Sequence, residues 1–164
     1  MHHLRSLINR QNSIEETCST LPSPPPMTEL DFWAALVKDY SQTAQRLPTL
    51  TTNKVRAGIP PPLRGVAWVS MARARDSSLE DAFDKLSNES SPYENIIGKD
   101  IGRSFPSVDM FRDADGQGQK MLGKVLKCFS LHDSKIGYCQ GLGFLVGSLL
   151  MQMGDREAFC VLVR

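Results

Sequence analysis

The chain has 164 residues, 41% of them hydrophobic and 23% charged, enough for one cored domain plus a tail. Its net charge of +1 is nearly balanced and gives no reason to expect a nucleic acid as partner. Cys18, Cys128, Cys139 and Cys160 form no C-x-x-C pair, which excludes the usual zinc spacings and a disulfide framework; they read as buried free thiols, with no metal expected.

Residues 1–27 are rich in Ser, Thr and Asn and end in Pro22-Ser23-Pro24-Pro25-Pro26, the composition of a disordered tail. Met1 to Arg10 lacks the continuous apolar region of a secretory signal. A lead-in helix and linker are expected over 28–53. Thr28-Glu29-Leu30-Asp31 fits a capping box, and Leu30, Trp33, Leu36, Val37, Tyr40, Ala44 and Leu47 recur at helical spacing until Pro48 stops the helix. Three prolines, Pro60 to Pro62, then lead into a helix carrying Leu63, Val66, Ala67 and Met71. Ser78 starts another helix with Leu79, Phe83 and Leu86 on one face, and Ser91-Pro92-Tyr93-Glu94 starts the next.

That helix carries Ile96 and Ile97 toward Asp100 and Arg103, which share a face in a helical turn that Phe105-Pro106 ends. Asp113 to Gln119 is a loop and helix start. The helix beyond shows Met121, Leu122, Val125, Leu126 and Phe129 on one side, with Lys120, Lys124 and Lys127 elsewhere. Leu142 to Met153 is too short to cross a bilayer and reads as a buried helix, and a last helix begins near Asp155. With no strand-like alternation, the chain is predicted to be all-α. Arg164 follows three aliphatic residues without a glycine or asparagine cap or a polar tail, so the expectation is a domain cut short with aliphatic residues such as Leu162 and Val163 left exposed.

Asp113 and Asp115 before Gly116 resemble a calcium loop, but Lys124 stands where the closing glutamate belongs. Gly116-x-Gly118 lacks the Gly-Lys-Ser/Thr ending and preceding strand of a P-loop, so no nucleotide or cofactor of the chain's own is expected. Cys139 with His132 offers a thiol nucleophile without an orienting third group. Arg103 and Gln140 each stand beside glycine or proline that breaks regular structure. An arginine and a glutamine at two such edges suit a reaction on a phosphate carried by another molecule. Taken alone, Arg103 is also half of an ion pair with Asp100, and Gln140 a turn or cap residue.

The motifs in sequence carry more. Lys54-Val55-Arg56-x-Gly58-Ile59-Pro60, Leu63-Arg64-Gly65, Trp68, Ile97-x-x-Asp100-x-x-Arg103, Phe105-Pro106, Gly118-Gln119 and Gly137-Tyr138-Cys139-Gln140-Gly141 follow one another in the order found in TBC domains of Rab GTPase-activating proteins. The chain resembles that family over 54–164, as a partial domain ending after its finger-bearing subdomain, with the Trp33 helix as a lead-in of fungal-type members. The resemblance implies an all-helical activator that is not itself an enzyme and needs no cofactor. Its implied partner is a Rab-family small GTPase in the GTP-Mg state, met in the cytoplasm or at Golgi and secretory membranes that it reaches only through the Rab. Arg103 falls on the family's arginine finger and Gln140 on its glutamine finger. Asp100 is expected to steer Arg103, Tyr138 to brace Gln140, and Gly137 and Gly141 to let the partner's backbone come close. Ser104 stands where threonine is commoner in the family. A non-catalytic Rab-binding or scaffolding fragment is the alternative.

Overall fold

Thr28 opens the first helix of this computed structural model, which describes residues 27–164; the tail reading of 1–27 lies, except for Met27, outside the described residues. The Thr28 hydroxyl accepts from the Asp31 amide at 3.2 Å, and the Asp31 carboxylate accepts from the Thr28 amide at 3.2 Å, closing the expected capping box. The single helix expected to run on to Leu47 is instead two, α1 (Glu29–Lys38) and α2 (Tyr40–Arg46). Asp39 takes an extended conformation between them, and its carboxylate accepts from the Gln42 amide at 2.9 Å. Ser70, remote in sequence, completes the break: its hydroxyl donates to Leu36 O at 2.7 Å and accepts from the Tyr40 amide at 3.1 Å. Pro48 follows the end of α2 and also opens α3 (Pro48–Ala57), since proline fits the first helical position, where its missing N–H goes unused. Part of the predicted linker is therefore helix.

A short 3₁₀ turn, Pro61–Leu63, leads into α4 (Arg64–Met71). Phe32, Trp33, Leu36, Ile59 and Ala67 form a small core between α1 and α4. The chain continues as α5 (Ser77–Leu86), α6 (Glu94–Ser104), α7 (Asp109–Arg112), α8 (Gln117–His132), α9 (Leu142–Leu150) and α10 (Asp155–Val163). Asp76 rather than Ser78 caps α5, its carboxylate accepting from the Ser78 amide at 2.9 Å. The Ser91 hydroxyl accepts from the Tyr93 amide and the Glu94 carboxylate accepts from the Ser91 amide at 2.8 Å, but α6 begins only at Glu94 with Tyr93 as its N-cap, so Ser91 and Pro92 form a turn before the helix rather than its expected cap and first position.

The main core forms around α8, which packs against α5, α6, α7, α9 and α10. Leu122, Val125, Leu126 and Phe129 are buried there with Phe83, Ile97, Val146 and Phe159. The amphipathic period of α8 predicts this face. Among the described residues all regular structure is helical, as expected, and no helix is long and apolar enough to cross a membrane. Leu162 and Val163, expected to be exposed, are half-buried against the core. Conversely, α9 is only partly buried: Phe144 and Leu145 are 55% and 60% exposed.

Candidate functional site

Two breaks in the helical path meet at one surface hollow. The first is the C-terminal end of α6, where Phe105 leaves helical geometry and Pro106 prevents its return. The Ser104 hydroxyl donates to Asp100 O at 2.7 Å and tightens this last turn. The second is the segment between α8 and α9. Here the Asp133 carboxylate accepts from the amides of Lys135 and Ile136, and Gly137 and Gly141 both take positive φ, at 60° and 105°. The turn at Gly141 delivers Gln140 to the surface directly before α9 begins.

Asp100, Arg103, Ser104, Tyr138, Gln140, Gly141 and Phe144 line a hollow of about 180 Å³. Arg103 and Gln140 are both exposed, whereas Asp100 is buried. The Asp100 carboxylate holds both segments: one oxygen pairs with the Arg103 guanidinium, and the other accepts from the Tyr138 hydroxyl at 2.7 Å. The hydrogen bond from Tyr138, then that from Arg103, holds the Asp100 carboxyl below its ordinary pKa, against the effect of burial. Burial, reinforced by Asp100, pushes the Tyr138 phenol above its ordinary value. At neutral pH the arrangement is carboxylate, guanidinium and neutral phenol.

Asp100 therefore lies where the sequence puts it, against Arg103. Tyr138 bonds to Asp100 and not to Gln140, so it ties the two segments together rather than bracing the glutamine. Gly137 is buried, and a Cβ there would lie 2.4 Å from the Tyr93 hydroxyl; the close approach it permits is internal. Gly141 has open space around its Cα. Ser104, noted in the sequence for its hydroxyl, also lines the hollow, as does Phe144, which sequence reasoning missed; its signal is an aromatic residue about one helical turn beyond Gln140.

The other chemical readings find little support. Cys128 and Cys160 are buried, and burial raises the Cys128 thiol to about 11, but Cys139 is exposed, against expectation. His132 packs edge-on to Phe159 at 5.5 Å, and no hydrogen bond joins it to Cys139 among the described residues. Gly118 closes against the Met110 carbonyl and the Gln119 side-chain Nε2 donates to Phe111 O at 2.9 Å, so the glycine-rich turn fastens α8 to α7 rather than cradling phosphate. No group of three or more metal-ligating side chains occurs among the described residues. A larger hollow of about 400 Å³ lies between α6 and α8, but it holds neither Arg103 nor Gln140.

Pockets that enclose a small molecule usually measure about 300–1,000 Å³, so the hollow at Arg103 is too small to take a nucleotide whole. Fold and site together define an all-helical domain that presents a guanidinium and a carboxamide at one surface hollow. The chain belongs to the Rab-GTPase-TBC domain family, whose pattern matches residues 61–164. It is 37% identical to the Drosophila melanogaster ecotropic viral integration site 5 ortholog, over 100% of this chain and 21% of that protein. It is 40% identical to the Caenorhabditis elegans Rab GTPase-activating protein eat-17, over 80% of this chain and 15% of that one. The chain thus spans about a fifth or less of these curated relatives. The crystal structure of the Chlamydomonas flagellar RabGAP TBC domain shares the fold, with TM-score 0.56 and 23% identity over 98% of this chain and 49% of that one.

Proposed function

We propose that this chain activates a Rab-family GTPase, completing the partner's active site with Arg103 and Gln140 while catalysing nothing alone. The observation that carries the reading is that these two side chains, from separate segments, line one exposed hollow too small for a nucleotide. Relatives named as Rab GTPase-activating proteins support the class of partner. The partner brings GTP and its magnesium ion; the chain brings positive charge and an amide. Hydrolysis transfers the γ-phosphoryl group to water through a transition state with charge spread over three oxygens. A planar guanidinium stabilises that charge through paired donors, which an ammonium matches poorly. Arg103 has five N–H donors, so it can keep a bond to Asp100 while others turn to phosphate oxygens. The Gln140 carboxamide can accept from the attacking water and donate to the phosphate, which orients the nucleophile.

The test is single-turnover hydrolysis by a panel of GTP-loaded Rab proteins, with and without the chain. Stimulation of at least one Rab is expected. Arg103→Ala should then cut the stimulated rate about 10³- to 10⁵-fold with little change in binding, and Arg103→Lys should recover only a small part of it. Equal stimulation by the parent and Arg103→Ala would exclude the arginine's role. Binding by the parent without stimulation would point instead to a scaffolding or Rab-binding module.

A further inference from the structure

We propose that Gly143 and Gly147 of α9 form the gauge that sets the distance between Arg103 and Gln140, with Gly147 the critical positioning residue. The proposal rests on the activator reading for its kinetic consequences but on packing for its geometry. The two glycines are four apart and lie on one face of α9. That face receives the end of α6: a Cβ on Gly143 would lie 3.0 Å from the Ser104 hydroxyl, and a Cβ on Gly147 only 2.0 Å from a ring carbon of Phe105. Arg103 directly precedes these two residues, and Gln140 precedes α9 by a single residue. The separation of the helices at the seam is therefore the separation of the two functional edges.

Phe105 cannot simply swing aside. Its ring stacks on Phe111 at 5.0 Å and meets Phe144 edge-on at 5.5 Å. Phe111 is itself only 2% exposed, so the far side of the stack is fixed in the core. Carbon atoms in contact need about 3.5–4.0 Å, so a methyl at position 147 must open the seam by roughly 1.5 Å. The end of α6 moves with it, and Arg103 leaves its place opposite Gln140. Position 143 offers a softer contact, because a Cβ there would lie 3.0 Å from the Ser104 hydroxyl and a shift of roughly a few tenths of an ångström relieves it. A displacement near 1 Å of a positioned group can cost about a hundredfold in rate.

The experiment compares Gly147→Ala with the parent in the Rab assay and follows the Arg103 Nε–H resonance by NMR. Gly147→Ala is expected to keep KM within about threefold while kcat falls roughly 10- to 100-fold, and to shift the resonance. Phe105→Leu removes the outer ring atoms that meet the new methyl, so adding it to Gly147→Ala should restore most of kcat. Gly143→Ala should cost less than Gly147→Ala. Parental kcat in Gly147→Ala, or no recovery on adding Phe105→Leu, overturns the gauge. If Gly147→Ala does not fold, Gly143→Val presses on the same seam, and an unmoved resonance there overturns the proposal equally. If the parent stimulates no Rab, the activator reading fails, while the resonance in Gly147→Ala still decides the gauge.

Discussion

Arg103 stands on the last turn of α6 with its guanidinium paired to a buried carboxylate, whereas Gln140 stands on a turn where its side chain makes no hydrogen bond among the described residues. Side-chain chemistry holds the first in place: Asp100 fixes the arginine and Tyr138 fixes Asp100. Backbone shape holds the second, through the Asp133 turn and the positive φ of Gly141. On the activator reading proposed above, the arginine is held before a partner arrives and the amide is left open to it. The buried Asp100 carboxylate needs partners for its charge, whereas a neutral amide at the surface can bond to water. The two edges should accordingly respond to different kinds of substitution.

The largest separation is chemical. Beside the loss expected for Arg103→Ala, Gln140→Ala should lower the stimulated rate about 10²- to 10³-fold, the usual effect of removing one positioned polar group from a transition state. Because Gln140 holds no side-chain partner in the free chain, its loss should leave the melting temperature unchanged. Thermal denaturation beside the single-turnover assay checks both halves. A fall in melting temperature with Gln140→Ala would show that the amide has a structural bond and erase the contrast.

The next prediction concerns the tether. Tyr138→Phe removes the hydroxyl but keeps the ring, so Asp100 loses one partner and Arg103 is held less firmly. A loss of about tenfold in stimulated rate is expected, the scale of one hydrogen bond to a charged group, and Gln140 should be unaffected in place. Combining Tyr138→Phe with Arg103→Ala tests the route of the effect. With the arginine gone, loss of the hydroxyl should cost almost nothing further, and additive losses would mean that Tyr138 acts on Gln140 after all.

What the sequence made legible follows the range of the interactions. The face of α8, the Thr28 box and the pairing of Asp100 with Arg103 lie within one or two turns and could be read directly. The break at Asp39 could not, because it is completed by Ser70 from another helix. The pairing of Tyr138 with Asp100 is likewise nonlocal, so the tyrosine's role was assigned to its neighbour in sequence. Phe144 and Leu145 lie within an apolar run that reads as wholly buried, and composition does not show which side of a short helix stays exposed. Motif order located both edges of the hollow; the close approach of Phe105 to Gly147 across the seam is nonlocal, and only packing reveals it.

The smallest expected effect is a flat pH response, and it bears on the arginine edge alone. Asp100 has a depressed pKa, so its contribution to stability is present above its unfolded value of about 3.9 and is lost as pH falls through the lower folded value. Tyr138 has a raised pKa, so its contribution is present below its unfolded value of about 10 and is lost as pH rises through the higher folded value. Neither group changes charge between those limits, so the ratio of stimulated rates for the parent and Tyr138→Phe should stay constant from about pH 5 to pH 9. In acid the two proteins should part. The Tyr138 hydrogen bond is the first cause of the depression at Asp100, so its removal should move the acid limb of the melting-temperature profile to higher pH. An acid limb left in place would mean that the state of Asp100 does not depend on Tyr138, and the link between the two edges through that carboxylate would be lost.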